Sequence, residues 1–257
     1  MVATPPPHVI TWQKLPDDFP LPNGPVDSIA QPAIAAALTE SLRIANRLPA
    51  HGFTCTNYGI CATLNGKMVV KAPDWAYVSR ITVPREEINR SYTPQLQGDI
   101  PAIVLEFLSE TEGTEYSIKS TDPPGKFFFY GQILQVHNYG IFDPKTGSLE
   151  LYRPENPGSP YQLQSPDRQG RFWIPELELF LGPWQGEWEN LQGHWLRWWD
   201  AAENLLLWGP EQVALEQRRA EQERERAERE QQRAAQERAR AERLLAQLRA
   251  AGLEPED

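Results

Sequence analysis

The sequence predicts an α/β fold with one central mixed sheet flanked by helices, followed by a charged C-terminal helix. Three observations predict it. The patterns run in the order helix, three strands, helix, strands, which suits a single sheet with helices packed on it. Ile100 to Leu108 is a near-continuous apolar run, the mark of a strand covered on both faces. From Glu211 the composition turns abruptly to Ala, Glu, Gln and Arg, all strong helix formers.

Residues 1–25 are rich in proline and read as an extended lead-in, laid on the body through Trp12 and Phe19. Ile34, Leu38, Leu42 and Ala45 then recur at helical spacing, with Pro32 in the first turn and Asp27 or Ser28 as N-cap. His51-Gly52 is the expected stop. Phe53 to Val70 reads as strand, turn, strand around Asn65-Gly66, a strong hairpin signal. The second strand is expected to run on to Asp74. REEINRSY (85–92) suggests a short helix, and Glu110 to Gly125 a loop. Lys126 to Val136 is the next expected helix, entered sharply from Pro-Pro-Gly. Asn138 to Phe142 and Leu149 to Tyr152 form a hairpin across Asp143-Pro144 and Thr146-Gly147. YQLQ, RFWIPELELFLGPW and HWLRWWD add β-like pieces. Six of nine tryptophans fall between Trp184 and Trp208, and few basic residues interleave with them. That favours a packing layer or a dimer interface over a base-stacking surface. The expected organisation is therefore a lead-in (1–25), an α/β domain (26–208) and a helical tail (209–257).

The tail carries a seven-residue register at Val213, Ala220, Ala227, Ala234, Ala241 and Leu248, which suggests a coiled coil. The positions three later are Glu216, Glu223, Glu230 and Glu237 before Leu244, so the seam is apolar on one side only. A solvated helix supported by i,i+4 pairs such as Glu225–Arg229 is the better reading.

Formal net charge is −10, which argues mildly against broad non-specific nucleic-acid binding. Two isolated cysteines, Cys55 and Cys61, match no zinc spacing and read as free thiols of a reducing compartment. No apolar run reaches the roughly 20 residues that span a bilayer, and the N-terminus lacks a signal-peptide pattern. The expectation is a soluble, cytoplasmic protein with no membrane partner. There is no GxxxxGK[ST] or GxGxxG, hence no sign of a nucleotide cofactor. His51, His137 and His194 are scattered and gain no role.

The chemistry concentrates between Lys71 and Tyr130. Asp74 and Glu106 stand in apolar segments, where a carboxylate is costly unless paired or metal-bound. Two acids on neighbouring strands can hold a divalent cation through hard oxygens, and the Phe107 carbonyl can add a third. A lysine beside them can orient a water or stabilise developing charge. Lys126 heads a helix and is the first choice, with Lys119 in the polar loop as competitor. The bland alternative is a structural ion pair of Glu106 with Lys71 or Lys126.

In order, Pro73-Asp74, the run ending in Glu106-x-Leu-Ser109, Lys126-xxx-Tyr130 and Asp143-Pro144 resemble the Uma-type restriction endonucleases of the PD-(D/E)xK superfamily. EFLSETEGTEYS (106–117), PPGKFFFYGQIL (123–134), FLGPWQG (180–186) and WLRWWD (195–200) resemble a cyanobacterial subgroup, over roughly residues 15–250. The resemblance implies a restriction-endonuclease-like core, Mg²⁺ (or Mn²⁺), DNA as substrate and a homodimer. It makes Asp74 and Glu106 metal ligands and Lys126 a migrated catalytic lysine, because Leu108 fills the usual lysine place. Tyr130 belongs to the same motif, and Asp27 matches an acidic residue that approaches the metal from the first helix. Gln31 stands near a position where the family often has histidine.

Overall fold

The computed structural model describes residues 8–16, 18–19, 29–109, 115–121, 123–188 and 190–251. The chain divides into two units, Met1–Leu207 and Trp208–Asp257.

The first unit is built on a six-stranded mixed sheet. Its strands are β2 (Phe53–Cys55), β5 (Trp75–Val78), β6 (Ile103–Phe107), β7 (Asn138–Asp143), β8 (Ser148–Pro154) and β9 (Tyr161–Leu163), in that spatial order. Only β6 and β7 run parallel; every other neighbouring pair is antiparallel. All five residues of β6 are buried, as its unbroken apolar run predicts for a strand in the sheet interior.

Two further three-stranded sheets accompany the expected central sheet. One pairs β1 (Ile10–Thr11), β3 (Ile60–Leu64) and β4 (Lys67–Lys71). The Asn65-Gly66 turn joins β3 to β4 as predicted, with Leu64 opposite Lys67 and both turn residues at positive φ. The proline-rich lead-in is thus partly a strand, and Leu15 behind it is buried. Arg90 ties the lead-in down by donating to the carbonyls of Pro16 and Phe19. The other small sheet pairs β10 (Phe172–Ile174), β11 (Leu179–Trp188) and β12 (Leu191–Trp199) and holds the tryptophan-rich hairpin. Trp184 faces Trp195 across it. Its tryptophans pack, as their sparse basic neighbours suggested: Trp195 and Trp198 are buried.

Helix α1 (Ala30–Ile44) links this hairpin to the central sheet. Trp75 of β5 donates its indole N–H to Thr39, and Trp198 of β12 donates to the Leu38 carbonyl; the two rings lie 5.9 Å apart. The helix stops at Ile44, seven residues before the expected His51. Asn46 takes the left-handed conformation there, a C-terminal device that asparagine tolerates. The predicted caps Asp27 and Ser28 lie outside the described residues.

Three other expectations need correction. The strand after the Asn65-Gly66 hairpin ends at Lys71, and Asp74 instead precedes β5 in a different sheet. Pro73 between them cannot donate to a ladder. Of residues 85–92, only Arg85–Glu87 forms a helical turn, of 3₁₀ type. The helix at Lys126 is α-helical only over α2 (Lys126–Phe128) and continues as a π-helix, Phe129–Leu134. An extra residue per turn leaves no trace in an apolar pattern this short. Gln135 closes it at φ 59°, in the left-handed region.

In the second unit, helix α3 (Gly209–Ala250) has no buried residue among those described. At 1.5 Å per residue it is about 63 Å long. The Glu211 carboxylate accepts from the Trp208 backbone N–H at its start, and Arg229 pairs with Glu225 at 2.7 Å. No helix among the described residues is long and apolar enough to cross a membrane.

Candidate active site

Three elements converge at the end of β6. Glu106, its fourth residue, is fully buried. The Lys126 ammonium, at the head of α2, lies 3.1 Å from Glu106 Oε2. The sharp lead into α2 depends on Gly125, because a Cβ there would sit 2.1 Å from the Ser117 carbonyl oxygen. Asp74, just before β5, accepts the Phe107 backbone N–H on Oδ2 at 2.6 Å. Continuing the β5–β6 register would set Pro73 opposite Phe107, so the Asp74 side chain takes over where the ladder runs out.

The sequence reading gave no role to Glu115, Tyr139 or Gln31. Glu115 is buried, and its Oε1 lies 3.4 Å from the Lys126 ammonium. Tyr139 of β7 holds that segment by donating its hydroxyl to the Glu115 carbonyl at 2.9 Å. Gln31, in the first turn of α1, donates Nε2 to the Phe107 carbonyl at 2.9 Å. The residue after Glu106 is therefore gripped on its N–H by Asp74 and on its C=O by Gln31. Of Gln31 the sequence showed only its position beside a family histidine; of Glu115 it showed nothing, since that residue sits in a polar stretch.

Of the remaining candidates, Tyr130 is buried in the π-helix against this cluster. Lys119 is exposed, and its carbonyl accepts from Gly125 N–H. Asp27 lies outside the described residues. The ion-pair alternatives resolve toward Lys126 rather than Lys71.

The electrostatics follow from burial. Glu106 is pushed up to about 8 by desolvation, with the Lys126 charge opposing and the Asp74 charge assisting. Asp74 is raised too, by burial first, against the Phe107 N–H that favours its charged form. For Lys126 burial works against the charge, but Glu106 and Glu115 outweigh it and hold the ammonium above its usual range. Lys71 is lowered, by burial and then by Lys126. Tyr130 is raised well above its usual value by burial and by the Glu106 charge.

Glu106 Oε1 and Tyr130 Oη are buried at this centre without a short, well-directed hydrogen bond, while the Tyr130 hydroxyl and the Asp74 carboxyl lie close enough to Glu106 to act on it. A carboxylate oxygen so placed inside a core is expensive, and bound water or a cation would relieve it. One or two carboxylates with room for waters are a donor set that a small divalent cation can use. No cluster of three or more His, Cys, Asp or Glu poised for a metal occurs among the described residues. Any ion here would therefore rest on two carboxylates, with the Phe107 carbonyl offering the lone pair that Gln31 does not use.

No curated protein matches the sequence. A solved structure described as "a putative nuclease belonging to DUF820" from Anabaena variabilis is similar over 62% of this chain and 76% of that one, with 16% identity and a TM-score of 0.39. The model of the Uma2 family, described as "Putative restriction endonuclease", matches residues 20–185. This agrees with the resemblance carried by the motifs at Asp74, Glu106 and Lys126, and with a restriction-endonuclease-like α/β core. Since the match spans well over half of the chain, the protein belongs to the Uma2 family.

Proposed function

We propose that this nuclease-like protein is a metal-dependent DNA endonuclease that hydrolyses phosphodiester bonds at the Glu106 centre. The observation that carries the reading is the Glu106 carboxylate itself: fully buried, paired with Lys126 and sharing its pocket with the Asp74 carboxyl. Asp74 and Glu106, with the Phe107 carbonyl, would hold Mg²⁺ or Mn²⁺. Such an ion neutralises phosphate charge and makes water a better nucleophile. Lys126 stays protonated between two glutamates, so it serves as a hydrogen-bond donor to a phosphate oxygen or to the leaving oxygen, not as a base. Asp74 and Gln31 fix the Phe107 peptide and with it the orientation of Glu106. Tyr130, which interacts with Glu106, would steady that carboxylate. Asp27 is the further acidic group proposed to approach the metal, and a homodimer is the proposed assembly.

The test is plasmid nicking with Mg²⁺ or Mn²⁺. Glu106→Gln, which keeps the shape and removes the charge, is expected to lower the rate at least about 100-fold. Equal nicking by both proteins would sink the reading.

A second reading draws on the ion pair that already neutralises Glu106. It makes the protein a catalytically idle nuclease fold that binds or assembles through its tryptophan-rich hairpin and helical tail. Calorimetry separates the two: heat of Mg²⁺ or Mn²⁺ binding that Glu106→Gln abolishes belongs to the first reading only.

A further inference from the structure

A cavity of about 430 Å³ opens at the other end of the same strands. Asn138, the first residue of β7, lines it, and Asn138 pairs with Ile103, three residues before Glu106. At about 3.3 Å per residue, the cavity wall is about 10 Å along the sheet from that level. Gln135, which closes the π-helix that begins beyond Lys126, lines it too.

The walls are built, not accidental. Asn138 is buried; its amide donates to the Ala102 carbonyl at 2.7 Å and to Glu176 at 2.9 Å. Arg153 donates to Asn138 Oδ1 at 2.6 Å and to the Trp173 carbonyl. His137 Nδ1 lies 3.1 Å from Glu176. Glu155 accepts from Gln162 at 3.3 Å. Every charged wall group therefore has a hydrogen-bond partner inside the protein. Its apolar surface comes from Ile100 and three prolines, Pro154, Pro157 and Pro175. The amides of Gln135 and Asn156 form no side-chain hydrogen bond with another described residue, and each presents a donor and an acceptor.

From this we propose that the cavity is a second binding site, for a nucleobase. A ring with an amide-like edge matches what the walls supply: apolar surface from Ile100 and three prolines, amides that can pair with N–H and C=O groups, and carboxylates that can accept from N–H groups. The volume is that of about 14 waters, which suits a base with its sugar and excludes a folded peptide. The base could come from a free nucleoside or from an unstacked nucleotide of a strand; the chemistry is shared, and the proposal does not depend on the nuclease reading.

The test is calorimetry on the full chain with adenosine, guanosine, cytidine and thymidine, then with a single-stranded oligonucleotide containing the best of them. At least one nucleoside is expected to bind with Kd below about 1 mM, and Asn156→Leu to weaken it about tenfold, the loss of one or two hydrogen bonds. Glu106→Gln is expected to leave that affinity unchanged. Tighter binding of the oligonucleotide, weakened by Asn156→Leu in the same ratio, would assign the site to a strand; a response to the free nucleoside alone would assign it to a small molecule. Absence of saturable heat from all four nucleosides, or affinities untouched by Asn156→Leu, would overturn the proposal. So would loss of nucleoside binding in Glu106→Gln, which would place the ligand at the other centre.

Discussion

Glu106 in β6 and Arg197 in β12 are both fully buried charges, and they are solved in opposite ways. Arg197 donates to the Leu206 carbonyl at 2.8 Å and lies 5.0 Å from the centre of the Trp184 ring. Its surroundings are backbone oxygen and an aromatic face, both of which favour a cation. Glu106 shares its pocket with Asp74 and Glu115, and one lysine answers for the group. Packing stabilises the first charge. The second is held in a place that disfavours it.

The widest separation between the two regions is expected in activity. Lys126→Met should abolish metal-dependent nicking, by at least about 100-fold, whereas Arg197→Met should leave the rate per folded molecule unchanged in the same assay. An equal loss in both would mean that the hairpin belongs to the active centre. In stability the order reverses. Arg197→Ala removes both the carbonyl contact and the ring contact from a packed layer, and about 3–5 kcal/mol should be lost in urea unfolding. A loss under about 1 kcal/mol would show that the hairpin tolerates an emptied site.

A pH series sharpens the contrast. Glu106 binds its proton more tightly folded than unfolded, so the folded state is favoured at low pH. That advantage drains away as pH rises from about 4.5, the ordinary value, towards about 8. Without metal, the melting temperature of the wild type should fall over that window, and Glu106→Gln should flatten the slope. Adding Mg²⁺ should restore the wild type most at the upper end, where the metal no longer competes with the proton. An unchanged slope in Glu106→Gln would remove the raised Glu106 value as its source. The smallest effect is expected in the second unit. Truncation after Trp208 should leave the light-scattering mass of each molecule lower only by the residues removed, with the number of copies unchanged. A fall in that number would show that the half-apolar heptads associate.

What the sequence revealed was local or out of place. Asn65-Gly66 carries its turn within two residues, and β6 carries its burial within one run. Glu106 stood out because it interrupts that run. The motif order placed Asp74 and Lys126 with it, and they do meet. Glu115 was illegible because its burial is created by β7 and α2, not by its neighbours in the chain. The end of α1 was misread because Gly52 is a stronger signal than Asn46, yet the chain turns at the asparagine. The nucleobase cavity draws its walls from several separated segments, and no spacing rule joins them.

The Asp74–Phe107 contact makes one amide proton a gauge of the whole centre. That N–H is bound to a carboxylate whose charge depends on protonation and, in the proposed function, on metal. Its NMR shift should move when Asp74 titrates and again when a cation arrives. A ¹⁵N-labelled sample would thus report occupancy of the site with no substrate present.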